Sequence, residues 1–331
     1  MSDKINGITV LLPIYNSSQY LSTAIMSILK QSYTNFEFII INDGSTDNSE
    51  EIISNFKDSR IVYKKIEHSG LGTALNFGLN NATHDWIARI DADDFSHPER
   101  LKLQTEFVEN NTGYGVISSW YSIHNGKKIL YLVTTSVESV MIKKRFALQN
   151  EIIHPGSFFN KNLVFAVGGY RNFVFEDFDL WLRLRNRTEF YNIPRVLTFV
   201  RYRKDSFSRN DINEKNKKIY TILENEFPVS LMEEEAIMTN EEVVLIKGWR
   251  EYFWGNKYEA RKIWRSHILS RAISFRLIIA FLFTFLPEKM FLSLKEFRLR
   301  FRIEYMLDYK SSRVKEARKE FYKILNGRIV Q

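Results

Sequence analysis

The chain has 331 residues, 44% hydrophobic and 15% aromatic, which supplies core for one large or two modest domains and argues against a disordered polypeptide. The absence of Cys excludes disulfides, thiolate zinc sites and a Cys nucleophile, and fits a reducing compartment. The formal charge of +8 is uneven: residues 241–331 carry 20 Lys+Arg against 10 Asp+Glu, a net +10, so residues 1–240 are at −2 and the chain splits into a near-neutral part and a basic appendage.

The opening MSDKINGITV has no basic n-region and no long apolar h-region, so secretion is not expected. Ile8 to Ile14 (ITVLLPI) reads as a buried strand, and Tyr20 to Leu29 carries apolar residues at helical spacing with Ser17 or Ser18 available as cap. Phe36 to Ile41 is a second buried strand, closed by the turn-rich NDGSTDNS. Ser49 to Phe56 reads as helix, Ile61 to Ile66 as strand, Leu71 to Leu79 as helix and Trp86 to Ile90 as strand, ending in DADD. This alternation predicts right-handed βαβ units: an α/β fold with a mostly parallel sheet and helices on both faces.

Beyond Asp94 the rhythm changes. A helix follows Pro98 to about Glu109, and Val116 to His124, Asn125-Gly126 and Ile129 to Val133 predict a hairpin. Val137 to Leu148 and a segment from about Asp177 read as helices, with strands at Phe190 to Ile193 and Thr198 to Tyr202. From about Asn213 the pattern is helical. Two domains are expected, 1–210, with a nucleotide-binding half at about 1–97 and an acceptor half at about 98–210, and a helical basic region at 211–331. The apolar window Leu277 to Leu286 is about half the roughly 20 residues a membrane span needs, so a buried helix and a membrane-surface helix with flanking Arg and Lys both stay open.

In an open α/β sheet, ligands bind beyond the carboxyl ends of the strands. Three clusters fall there: Pro13-Ile14-Tyr15-Asn16, Asp43-Gly44-Ser45 and Asp91-Ala92-Asp93-Asp94. A strand-end Asp can accept from a uracil imide, a Tyr can stack on the ring, and paired carboxylates can hold a hard cation that also ligates a diphosphate.

LLPIYN, NDGSTDNS, HSGLGTALNFGL, ARIDADDFSHPERL, HPGSFF, GGYRN and EDFDLWLRL stand in order over about residues 7–205. Together they resemble the motif set of the inverting glycosyltransferase family 2, whose fold is glycosyltransferase A (GT-A) and whose bacterial members build O-antigen and capsule repeat units from nucleotide sugars. The resemblance implies that Pro13, Tyr15 and Asp43 bind the nucleoside with Asn16 and Ala92 alongside, that Asp91 meets ribose or diphosphate, and that Asp93 ligates Mn²⁺ or Mg²⁺. It implies Asp177 as the general base, and His154, Glu176 and Trp181 on the acceptor or sugar side. Structural roles are expected for Arg89, Asp94 and Asp179. Two positions depart from the family: His68 stands where relatives usually have Asn, and Lys204 where many have a metal-binding His. Arg203 or Lys204 would then pair with the diphosphate.

The expected function is non-processive transfer of a hexose, with inversion, from a nucleotide sugar, UDP-linked by preference, to a lipid-diphosphate-linked saccharide. The expected location is cytoplasmic, on an anionic membrane surface through the basic tail. Other classes fit less well. GLGTAL lacks the third glycine of a dinucleotide fingerprint and does not follow the first strand, GxxxxGK is absent, and a processive synthase would carry QxxRW and spanning helices. A nucleic-acid-binding module would leave DADD and ED unemployed, so no nucleic-acid partner is expected; a scaffold that keeps the fold without activity is the remaining alternative.

Overall fold

The computed structural model describes residues 5–203, 212–234, 238–270, 275–285 and 319–322. Among the described residues the chain forms two compact units, one drawn from Met1–Lys143, Asn150–Arg203 and Ser312–Gln331, the other from Lys144–Gln149 and Lys204–Ser311.

The first unit opens with β1 (Ile8–Ile14), α1 (Ser18–Leu29), β2 (Phe36–Asp43), α2 (Ser49–Ser54), β3 (Ile61–Ile66), α3 (Leu71–Asn81) and β4 (Trp86–Arg89). Every residue of β1 is buried, because helices cover both faces of the sheet, and this is why the strand reads as an unbroken apolar run. β1 pairs in parallel with β2 and β4, and β2 with β3, giving the order β3-β2-β1-β4. Val10, Leu12 and Ile14 meet Leu21, Ile25 and Ile28 of α1 in the main core. On α3, Gly78 allows the helix to close on Leu11: a Cβ there would stand 2.3 Å from Leu11 Cδ1.

The unit continues with β5 (Phe95–Ser96), α4 (Arg100–Asn110), β6 (Tyr114–His124), β7 (Ile129–Val133), α5 (Ser139–Phe146), a 3₁₀ turn at His154–Gly156, β8 (Phe158–Asn160), α6 (Lys161–Ala166), α7 (Glu176–Leu184) and β9 (Glu189–Arg201). β8 runs antiparallel between β4 and β6 and joins the first four strands to the rest, in the order β3-β2-β1-β4-β8-β6-β9-β5. The sheet is mixed but mostly parallel, since its longest ladders, β1 with β2 and β6 with β9, are parallel. The hairpin expected at Asn125-Gly126 forms as β6 and β7. The two strands expected at 190–193 and 198–202 are one strand, β9. Its register against β6 jumps from Ile193 to Val196, so Pro194, which has no N–H to give a ladder, sits in the irregularity.

Arg100 ties these parts together. It is fully buried, and its Nη2 donates to the carbonyls of Arg89 (2.7 Å) and Ser157 (3.0 Å), fixing the end of β4 against the start of β8. The second unit holds α8 (Ile212–Glu226), α9 (Val229–Glu234), α10 (Asn240–Trp254), α11 (Lys257–Ser270) and α12 (Phe275–Phe283). α10 starts on a capping box between Thr239 and Glu242. Tyr252, Ala260, Trp264, Leu277 and Ala280 form its core. Of the apolar window, Leu286 lies outside the described residues. Within it Leu277 and Ala280 are buried while Ile279, Leu282 and Phe285 are exposed. Among the described residues no helix is long and apolar enough to cross a membrane.

Candidate active site

The carboxyl ends of β1, β2 and β4 present the three clusters that the sequence singles out. After β1, Tyr15 is exposed, and Asn16 adopts φ +46°, a left-handed conformation that asparagine tolerates better than most residues. Its Oδ1 accepts from Thr46 N (2.8 Å) and its N–H donates to Ser45 Oγ (3.0 Å), so the loops after β1 and β2 are tied together. Pro13, inside β1, is buried. At the end of β2, Asp43 accepts from the backbone N–H of Ser69 (2.8 Å) and of Gly70 (3.0 Å), and His68 Nδ1 lies 2.9 Å from its Oδ2. Gly44 (φ +72°) lets the 68–70 loop lie this close, since a Cβ would come within 2.8 Å of His68 N.

Asp91, Asp93 and Asp94 bring carboxylate oxygens within 4.8 Å of one another. Asp91 pairs with Arg89. Asp94 accepts from Arg201 N (2.8 Å) and so locks the turn to the end of β9, as expected of a structural carboxylate. Burial, then Asp91, pushes the Asp93 pKa up, and burial, then Asp93 and Asp91, holds Asp94 well above the usual range. Crowded hard oxygens of this kind fit a divalent cation such as Mn²⁺ or Mg²⁺, which would relieve their repulsion. Arg203 Nη1 stands 3.6 Å from Asp93 Oδ2, and Arg201 Nε donates to the Asp93 carbonyl (3.1 Å). Lys204 lies outside the described residues.

The second acidic cluster opens α7. Phe175, at φ +68°, is a left-handed residue with a bulky side chain, and it turns the chain so that Glu176 and Asp177 begin the helix. Asp177 Oδ2 accepts from Asn150 Nδ2 (2.8 Å), and Asn150 Oδ1 is taken by Ile152 N (3.0 Å), which fixes the orientation of the amide. Burial, then Glu176, pushes the Asp177 pKa up, and burial does the same to Glu176. Asp179 is structural: it is paired with Arg183 (2.7 Å) and Arg171 (3.0 Å) and is fully buried.

Two acceptor-side expectations change. Trp181 is fully buried, set edge-on to His154 and Phe159, so its ring is core and offers no face to a sugar. His154 is buried as well, with Nε2 3.1 Å from Tyr170 Oη and Nδ1 3.4 Å from Glu176 Oε1, and a ring nitrogen within 4.8 Å of carboxylate oxygens of Glu176 and Asp177. Burial, then Arg89, lowers its pKa to about 3, so the ring is neutral near pH 7. Ala92 is also buried.

Arg89 links the two clusters. It is 1% exposed, pairs with Asp91, and its charge acts on Glu176, Asp177 and His154; its Nε and Nη1 have no hydrogen-bond partner among the described residues. Asn150 and Arg201 went unmarked in the sequence. Asn150 sits in no motif, and Arg201 is one of three basic residues in the RYRK run.

The sequence profile described as Glycosyl transferase family 2 matches residues 9–178. A UDP-Gal:alpha-D-GlcNAc-diphosphoundecaprenol beta-1,3-galactosyltransferase of Escherichia coli is 34% identical over 223 residues, 63% of this chain and 79% of that protein. The putative glycosyltransferase EpsE of Bacillus subtilis is 32% identical over 216 residues, 61% of this chain and 75% of its own. Among solved structures, residues 1–349 of S. aureus TarS in complex with UDP-GlcNAc superpose with a TM-score of 0.58 at 14% identity, over 84% of this chain and 79% of that one. The mannosyltransferase PcManGT from Pyrobaculum calidifontis, in complex with GDP-Man and Mn²⁺, gives 0.53 at 14% identity over 98% and 86%. Both share the GT-A fold with this chain.

Proposed function

Because the chain belongs to glycosyl transferase family 2, and so is an inverting glycosyltransferase that uses a nucleotide sugar, we propose that it moves a hexose from a UDP-sugar to a saccharide carried on a lipid diphosphate, in surface-polysaccharide synthesis. The named E. coli relative supports that donor and acceptor class. The observation that supports the reading is Arg89: one buried guanidinium pairs with Asp91 of the first acidic cluster, and its charge also acts on Glu176 and Asp177 of the second.

In this reading Tyr15 stacks on the uracil and Asp43 accepts its imide N–H. Asp177, oriented by Asn150, takes the proton of the acceptor hydroxyl as its oxygen bonds to the anomeric carbon and the bond to the diphosphate breaks on the opposite side. Asp93, with Asp91, would hold a divalent ion, which when bound stabilises the charge of the departing diphosphate. Arg203 adds a positive charge beside Asp93. An α-linked donor would give a β-linked product. The exposed Leu269, Phe275, Leu282 and Phe285 of the second unit, among Arg261, Lys262, Arg265 and Arg276, support contact with an anionic membrane where a lipid-linked acceptor would be found.

The test is product formation from UDP-hexoses and a lipid-linked acceptor with Mn²⁺. Asp177→Asn is expected to lower kcat by about 10²–10⁴-fold while UDP affinity stays within about twofold; normal turnover in this variant would remove Asp177 from the mechanism. Asp93→Ala is expected to lose metal-stimulated activity, and undiminished stimulation by Mn²⁺ would remove Asp93.

A further inference from the structure

One face of the exposed Tyr15 ring carries the imidazole of His68, with centroids 3.9 Å apart and planes 16° from parallel. The same imidazole places Nδ1 2.9 Å from Asp43 Oδ2 and 3.1 Å from the Asp43 carbonyl. A pyrimidine imide bound at these two residues would make the same pair of contacts: a flat ring on Tyr15 and an N–H to the Asp43 carboxylate. The geometry points to His68 as an internal occupant of the nucleobase seat, which the donor has to displace in order to bind. This rests on the assignment of Tyr15 and Asp43 to the nucleobase.

The hydrogen-bond inventory of Asp43 shows which contact gives way. Its side chain is 5% exposed, and the bonds from Ser69 N and Gly70 N hold the backbone that leads into α3, so releasing them would unwind the start of that helix. The His68 contact is different in kind. The His68 side chain is 52% exposed, so its ring can rotate off Tyr15 into solvent while Ser69 and Gly70 stay in place. Displacement then frees one face of Tyr15 and one acceptor position on Asp43 together, which are the two things an imide-bearing base requires.

The exchange has a calculable sign. When only the fraction of molecules with His68 off Tyr15 can take the nucleotide, the apparent dissociation constant is the intrinsic one divided by that fraction. Removing the imidazole raises the fraction to one. A stacked aromatic pair supported by one hydrogen bond makes the expected gain about three- to tenfold.

The experiment is calorimetric titration of the full chain with UDP, comparing wild type, His68→Ala, His68→Asn and Tyr15→Ala. Both His68 variants are expected to bind UDP about three- to tenfold more tightly, and Tyr15→Ala at least tenfold more weakly. Unchanged or weaker binding in the His68 variants, with the Tyr15 loss intact, overturns the displacement and makes His68 a wall of the seat, while the nucleobase assignment stands. Unchanged binding in Tyr15→Ala overturns the assignment and the displacement with it. As a direct readout in the wild type, the His68 ring protons, shifted by the Tyr15 ring current, are expected to move toward the values of a solvent-exposed histidine on adding UDP. Resonances that do not move overturn the displacement.

Discussion

At Asp177 two influences oppose each other. It lies at the start of α7, where the helix dipole favours a carboxylate, yet burial and the neighbouring Glu176 push its pKa up. The acid limb of the pH–rate profile is therefore expected to have its midpoint above 3.8, because the base works only when ionised; a midpoint at or below 3.8 would contradict this. His124 and His154 are displaced the other way, each to about 3, first by burial and then by Arg201 and Arg89 respectively. Their unfolded forms take protons first, so each withdraws stability as pH falls from about 6.5 toward 3, while Asp94 and Glu176, with raised values, act in the opposite sense. In an NMR titration the His124 and His154 ring resonances are expected to stay fixed between pH 7 and 5. For Arg89, replacement by Met would strand Asp91. The cost in urea unfolding is expected to be about 1–3 kcal/mol, below the ~3–5 for a fully buried pair because the Asp91 side chain is partly exposed. At this scale the sequence revealed residue types in motifs but not their exposure. Asp93 and Asp177 were singled out through motifs that resemble a family's, whereas the burial of Trp181 and His154 depends on β8 and α7, which local pattern does not bring together.

The long elements were legible because each carries its own period or an unbroken apolar run: β1, α1, β2, α3 and β6 all lie close to where the sequence sets them. β5 and β8, of two and three residues, are too short to have a period, and they form because β9 and the pair β4 and β6 offer edges to them. β9 was read as two strands because Pro194 interrupts the run, and only the matching irregularity against β6 restores continuity. Close packing between elements gives a test. At Gly78 an added Cβ would stand 2.3 Å from Leu11 Cδ1, and Leu11 is fully buried and has little room to yield. Gly78→Ala is expected to destabilise the chain by about 1–3 kcal/mol in urea unfolding despite the better helix propensity of Ala, and a stabilised variant would show that α3 shifts freely on the sheet.

At the scale of the molecule, the acidic motifs and the positive charge lie in different parts of the chain. The acidic clusters belong to the first unit, and the exposed apolar and basic residues of α11 and α12 to the second. Replacing Phe275 and Leu282 together by Ser is expected to weaken binding to vesicles rich in anionic lipid by roughly tenfold or more, with activity on a water-soluble acceptor retained; equal vesicle binding would confine α12 to a packing role. The sequence marked this window as apolar and short of a span, but which of its side chains face outward was settled by Trp264 and Tyr252, which cover Leu277 and Ala280. The placement of β8 also orders events during synthesis. Tyr15, Asp43 and the Asp91–Asp94 turn all precede β8 in the chain and sit on strands paired within the first 90 residues, while Asp177 follows β8 and is positioned through it. A nascent chain emerging amino terminus first can thus pair β1 to β4 before Asp177 is made, and closing the long loop between Trp86 and Asn160 is the step that joins the two parts of the sheet. On the roles proposed above, a growing chain would hold its donor-side residues before Asp177 is in place to complete transfer.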